Sequence, residues 1–277
     1  MNFFGNKDIK LYVKRHLTAI RADLVGKKII DVPAGTGYTS QLLKEMGLDV
    51  EAYDLFPEFF NVAGMTCAEA DIARGLPLPD GYADYVICQE GIEHLSDQVE
   101  MFREFNRILA KGGTLLVTTP NYSNLRSKLS YYRSESEYFG KIMPPNENDS
   151  IWFSDGKKDD LYYGHIFSLG IQKMRVMARI AGFRIGKIHH LNIKHTSFFL
   201  LLFTYPFILL ANTAGYRRAK RLYPERNPDA YREVYRLSID PRILVDGHLC
   251  VEFSKEAEVD EAAKRLSGKY KSTRITT

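Results

Sequence analysis

The chain has 277 residues, with 38 Lys and Arg against 34 Asp and Glu and a formal charge of +4. Hydrophobic residues make up 45% and charged residues 26%, which excludes disorder, collagen and coiled coil and fits one large domain with sizeable insertions. Cys67, Cys88 and Cys250 stand in no paired spacing, so neither a disulfide framework nor a zinc ribbon is expected. They fit a reducing compartment, with the thiols buried as small apolar groups. The first residues, MNFFGNKDIKLYVKRHL, place charges where a secretion signal needs apolar side chains, so a cytoplasmic chain is expected. No run reaches the roughly 18 apolar residues expected of a membrane span.

In chain order, residues 7–24 place Ile9, Val13, Leu17, Ile20 and Leu24 at helical spacing, an amphipathic helix. KIIDV reads as a buried strand, 38–46 as a helix, Leu48–Tyr53 as a second strand and Met65–Ala70 as a third. The stretch ARGLPLPDGYAD is punctuated by Pro and Gly and reads as loop. Tyr85–Cys88 is a strand, Asp97–Leu109 a helix, KGG a turn and Thr114–Thr118 a strand. Ser168–Ala181 gives a further helix ended by Gly182, before final strands at Phe183–Leu191 and His248–Ser254. Strands separated by helices of this length imply a parallel sheet built from crossovers. Residues 120–165 and 193–246 fall outside that rhythm and are too long for ordinary connections.

The sharpest local signal is IIDVPAGTGYTS, residues 29–40. A strand runs into Gly35-Thr36-Gly37 and then a helix, so the backbone can approach a ligand closely and the helix offers free N–H groups. Asp54 follows at the end of the next strand, where an acid can accept both hydroxyls of a ribose. A dinucleotide fingerprint would need glycine where Ser40 stands, so a nicotinamide site fits poorly.

The ordered set DVPAGTG, YDLF, EADIARGLPLPDGYADYVICQEGIEHL, LAKGGTLLVTTPN and GHIFSLGIQKMRVMARIAGF resembles the class I S-adenosylmethionine-dependent methyltransferases. The resemblance covers roughly residues 25–120 and 162–192, with Pro33 in place of the family's more frequent glycine. It implies a Rossmann-like, seven-stranded, mostly parallel sheet with helices on both faces and an antiparallel last strand. It implies further that Asp31 and the loop Ala34, Gly35, Thr36, Gly37 hold the methionine part of S-adenosylmethionine. Asp54, with Leu55 beside it, would hold the ribose, Asp71 and Ile72 the adenine, and Gln89 would lie alongside.

Methyl transfer to a hydroxyl needs alignment and a group that takes the proton. Within QEGIEHL, a helical turn would put Glu90, Glu93 and His94 on one face. Together with His165 they resemble the metal site of the small-RNA 2′-O-methyltransferases, so a divalent metal is an open alternative to His94, Glu93 and His165 acting as base and acceptor contacts. His189, His190 and His195 read as surface or core residues.

The 120–165 insertion is a candidate substrate lid. It carries Tyr122, Tyr131, Tyr132, Tyr138, Trp152, Phe153, Tyr162 and Tyr163, whose faces suit sugar rings or bases or else form a small satellite core. Residues 198–211, FFLLLFTYPFILLA, are apolar, too short to span and broken by Pro206, and YRRAKR follows. Seven basic residues against three acidic ones in 216–238 give +4, the whole chain's surplus. Segment 198–221 could therefore meet the inner face of an anionic membrane, or else pack on the domain or a second copy. The acceptor expected is a sugar hydroxyl of a glycan or lipid-linked molecule, as in surface-polysaccharide biosynthesis. An RNA 2′-hydroxyl, a quinone or an inactive partner subunit are the alternatives. Nucleic acid is disfavoured by the balanced charge outside the patch.

Overall fold

The computed structural model describes residues 9–136, 144–154, 161–191 and 193–266, with the side chains of 149, 152–154 and 161 excluded. Tyr138 lies outside the described residues, as do the side chains of Trp152 and Phe153. The elements in order are α1 Ile9–Ala19, α2 Arg21–Leu24, β1 Lys28–Asp31, α3 Tyr38–Glu45, β2 Asp49–Asp54, β3 Cys67–Glu69, β4 Ala83–Gln89, α4 Gln98–Ile108 and β5 Leu109–Pro120. Then come α5 Leu125–Ser134, α6 Glu147–Ser150, β6 Ile151–Ser154, β7 Leu161–Tyr163, α7 Ile171–Ile180, β8 Phe183–His189, α8 His195–Leu222, α9 Pro228–Ile239, α10 Pro241–Val245, β9 His248–Lys255 and α11 Val259–Leu266.

Seven strands form one sheet in the order β3-β2-β1-β4-β5-β9-β8. The pairs β2–β3, β1–β2, β1–β4 and β4–β5 are parallel. β9 runs the other way. Its last residue, Lys255, meets Leu109 at the start of β5, while Glu256 donates to Gly182 O before β8 and Glu252 lies by Gly186 further along it. The expected mixed, methyltransferase-type sheet is therefore present. The central strands β1 and β4 bury Ile29, Ile30, Val86, Ile87 and Cys88 completely, as strands covered on both faces do.

The chain forms two compact units. The sheet unit comprises 13–118, 175–188 and 251–277; the insertion unit comprises 1–12, 119–174 and 189–250, so both insertions fall in it.

In the sheet unit, Phe102 of α4 meets Phe253 and Phe183 edge to face at 5.5 and 6.2 Å between ring centroids. Asp97 caps α4 by accepting the Glu100 N–H at 2.9 Å. Arg107 donates to the carbonyls of Leu76 and Leu78 at 3.0 and 2.7 Å and pins the Pro-rich loop before β4. The KGG segment, expected as a turn, lies inside β5. The strand begins already at Leu109, pairs with Ala83, and absorbs the glycines, Gly112 at φ +76°, in a register shift.

In the insertion unit, Asn121 acts as a hub. Its side-chain amide donates to Ile243 O and Asp246 O at 2.8 and 2.9 Å, and its N–H reaches Gly247 O at 3.0 Å. Ser197 at the start of α8 bonds Asn124 and the Arg126 N–H, which anchors α8 to α5. The expectation of a short helix broken at Pro206 is overturned. α8 runs unbroken through Pro206 for 28 residues. Residues 196–216 carry no Asp, Glu, Lys or Arg, and an 18-residue window has mean hydropathy 1.7, so by length and composition this helix could cross a membrane. The apolar count failed because Thr204, Asn212 and Thr213 interrupt it. Their polar groups are spent locally, Thr204 and Asn212 donating to the carbonyls of Leu200 and Ile208 and Thr213 bonding Tyr235.

Lys255 is buried and its ammonium donates to Asn106 O and Leu109 O at 2.8 and 2.9 Å, closing the last turn of α4. Glu258 pairs with it at 2.9 Å. Lys255→Met keeps the volume and leaves two carbonyls without their donor. It should cost about 1–3 kcal/mol by urea denaturation, and a change under about 0.5 would contradict this role.

Candidate active site

The loop after β1 is held from three strand ends at once. Asp54, last in β2, accepts the Gly35 N–H at 2.7 Å and the Phe56 N–H at 2.9 Å. Asp31, last in β1, accepts the Ser40 hydroxyl at 2.6 Å. Gln89, last in β4, accepts the Thr39 hydroxyl at 2.9 Å. Asp31, Asp54, Thr39 and Ser40 are buried. Three side chains thereby fix the glycine loop and the first turn of α3, whose early N–H groups stay open to a ligand. Ala34 joins the same frame by donating to Tyr53 O at 2.9 Å, and Thr36 O accepts the Asn61 N–H at 3.2 Å.

The two glycines differ. Gly37 has φ +86° and packs so closely that a Cβ would collide with Val62 and with Phe60 at 2.6 Å. Gly35 has φ +52°, and nothing stands within 4 Å of where its Cβ would be. Gly37 is required by packing, whereas Gly35 borders an open cradle.

Burial pushes the Asp31 carboxyl up to about 7; the Ser40 bonds oppose this and the neighbouring Asp54 adds to it. A cationic ligand would relieve both buried acids, and S-adenosylmethionine carries a sulfonium and an ammonium. Each Asp54 oxygen keeps a second lone pair beyond its backbone bond, enough for two ribose hydroxyls. Leu55, 37% exposed, offers apolar surface beside it. Asp71 caps the 3-10 turn Ile72–Arg74 through the Ala73 N–H at 2.9 Å and pairs with Arg74, while Ile72 is buried. The donor set fits the cofactor.

After β4 the backbone departs from the expected helical turn. Glu90 sits in the left-handed region at φ +51°, and a 3-10 turn starts only at Ile92. Glu90 therefore leaves the expected shared face, whereas the Glu93 carboxylate and the His94 imidazole lie within 4.8 Å of one another. Glu93 and His94 are buried in that turn. Glu90 is clamped to the end of β5: its N–H donates to Thr118 O at 3.0 Å and its carboxyl accepts the Thr118 hydroxyl at 3.0 Å. Burial pushes this carboxyl up to about 7, against the Thr118 bond. His165 is half-buried in the insertion unit, where its carbonyl accepts the Ser168 hydroxyl. The clamping roles of Thr39, Ser40 and Thr118 escape sequence reading, because a hydroxyl at a helix start signals nothing about which strand end it meets.

Residues 30–117 match a methyltransferase domain family. Those residues, about a third of the chain, form a methyltransferase-type domain within the seven-stranded sheet. Ubiquinone biosynthesis O-methyltransferase of Xanthomonas oryzae pv. oryzae is 30% identical over 141 residues, 48% of this chain and 58% of that protein. The protein of that name from Xanthomonas campestris pv. campestris is 30% identical over 144 residues with the same coverage. The match thus spans little more than half the length of these curated relatives. A crystal structure of a SAM dependent methyltransferase from Archaeoglobus fulgidus is 15% identical, with a TM-score of 0.51 over 89% of this chain and 94% of that one, which shows the fold.

The methyltransferase domain makes two expectations measurable. Gly35→Ala should fold, losing roughly 1 kcal/mol to its left-handed backbone, yet bind cofactor at least tenfold more weakly. Gly37→Ala should lose several kcal/mol; equal effects of the two on melting and binding would contradict the distinction. Asp31 is neutral below its raised value and an anion above it. Affinity for the cationic cofactor should therefore rise between about pH 6 and 8, and Asp31→Asn should flatten that rise in calorimetric titrations.

Proposed function

We propose that the protein transfers a methyl group from S-adenosylmethionine to a hydroxyl oxygen of a lipid-borne acceptor at the cytoplasmic face of a membrane. The observation that carries the methyl-transfer part is the clamped loop, in which Asp31, Asp54 and Gln89 hold Gly35, Thr39 and Ser40 in an anion-rich cradle. The relatives' printed names, ubiquinone biosynthesis O-methyltransferase, support oxygen as the nucleophile and a quinone-type acceptor. A sugar hydroxyl of a lipid-linked glycan is the second reading, favoured by Tyr131 and Tyr132, 51% and 88% exposed, whose ring faces suit a sugar.

When bound, the cofactor supplies an already electrophilic methyl group, so the protein has to orient the hydroxyl and receive its proton. Glu90 suits the second task. It stands at the carboxyl end of the central strand β4, where ligands meet sheets of this kind. Its left-handed backbone is a strain that persists only where the surroundings impose it, and Thr118 does so from the next strand. With its carboxyl held by burial well above the usual carboxylate range, it is a stronger base than an exposed glutamate. Glu93 and His94, in the 3-10 turn that begins at Ile92, are the candidate acceptor contacts.

Incubating the purified protein with a lipid extract and cofactor bearing a heavy-isotope methyl, then reading labelled products by mass spectrometry, tests the acceptor. Label in an O-methyl group of a lipid-soluble molecule is expected, and label on nitrogen or on RNA alone would refute it. Glu90→Gln should lower kcat by about 10²–10⁴-fold and leave cofactor affinity within about twofold. A lowered affinity with unchanged kcat would remove Glu90 as the base.

A further inference from the structure

α8 has two faces. Tyr205 bonds Ile239 O at 3.1 Å, Thr213 bonds the Tyr235 hydroxyl at 3.0 Å, and the rings of Tyr216 and Tyr235 lie 5.2 Å apart. Residue 205 thus lies by 239 and residues 213 and 216 by 235, so α9 packs antiparallel along the second half of α8. The opposite face is apolar and bare: Phe199, Leu202, Phe203, Phe207 and Leu210 are 58–75% exposed. Their i, i+3, i+4 spacing makes one continuous stripe. Arg217, Lys220 and Arg221, all exposed, continue that stripe past its apolar end, and α8 contains no acidic residue.

We propose that the bare face of α8 is a monotopic membrane anchor, lying in the plane of an anionic lipid surface with Phe199–Leu210 among the acyl chains and Arg217, Lys220 and Arg221 on the lipid phosphates. An apolar stripe completed by cations along one line of the helix is the charge pattern such a surface complements. A protein partner of neutral or basic surface would leave the arginines unmatched.

α8 is long and apolar enough to span, but its neighbour forbids it. α9 carries Asp229, Arg232, Glu233 and Arg236 beside the middle and end of α8, with Asp229, Arg232 and Arg236 exposed. A spanning α8 would drag Arg236 toward the bilayer centre, where an arginine costs about a hundredfold or more in the insertion equilibrium. In the plane of the interface, α8 buries its bare face while α9 stays with the domain. The Ser197 anchor to Asn124 and Arg126 holds the start of the helix to the insertion unit in the same way.

The inference deepens the membrane part of the proposed function, but its test reads lipid binding and no methyl transfer, so either can fail alone. The intact protein is sedimented with vesicles of phosphatidylcholine alone or mixed with phosphatidylglycerol. Binding is expected to be about tenfold or more stronger to the anionic vesicles and to weaken with salt. Phe203→Glu with Phe207→Glu, both side chains exposed and so harmless to the fold, should reduce it about tenfold or more, with an unchanged melting temperature. Arg217→Glu with Arg221→Glu should abolish the preference for anionic vesicles. Alkaline carbonate should release the bound protein. Absence of binding, equal binding by the phenylalanine variant, or resistance to carbonate would overturn the proposal. So would a dimer, seen by light scattering, that the phenylalanine variant dissociates.

Discussion

A single hydrogen bond, the Gly35 N–H donated to Asp54 at 2.7 Å, sets the geometry on which the cofactor cradle depends. It fixes the loop after β1 to the end of β2, and of the loop's two glycines it does so from the one with open space in front of it. The Ser40 and Thr39 hydroxyls make the equivalent ties to β1 and β4. The loop is thereby held by charge-assisted and buried bonds while its outward face stays bare. Such an arrangement buries carboxylates side by side, and Asp31 shows the cost in a proton affinity raised mainly by burial, with Asp54 adding to it. A cationic ligand is the natural resolution, which links the stability of the site to its chemistry.

The same logic explains what could be read from the residues and what could not. Buried parallel strands announce themselves as short apolar runs before glycine or acid, so KIID, AYD and YVIC place β1, β2 and β4 directly. The acid at the end of β2 is legible for the same reason. Glu90 is not: nothing in QEGIEHL marks a left-handed glutamate, because that conformation is imposed by Thr118, 28 residues away on the next strand. Likewise Lys111-Gly112-Gly113 reads locally as a turn, and only pairing with β4 reveals it as an irregularity within β5.

Pro206 carries a similar lesson. Proline ends many helices because it removes one N–H and crowds the carbonyl four residues earlier. In α8 the flanking turns are held by tertiary partners, Tyr205 on α9 and Ser197 on α5, so local propensity is overridden. The charge surplus follows the same division. Composition alone suggests a mildly basic molecule, whereas position places the surplus beside α8 and at α9 and leaves the remainder of the chain balanced.

The central claim is that the clamped loop binds S-adenosylmethionine. Isothermal titration of the cofactor into wild-type protein and into Asp54→Ala, with melting curves confirming that both are folded, tests it most directly. Saturable one-to-one binding by the wild type, weakened about tenfold or more by the substitution, is the result predicted. No binding by the folded wild type, or equal binding by the variant, would contradict it.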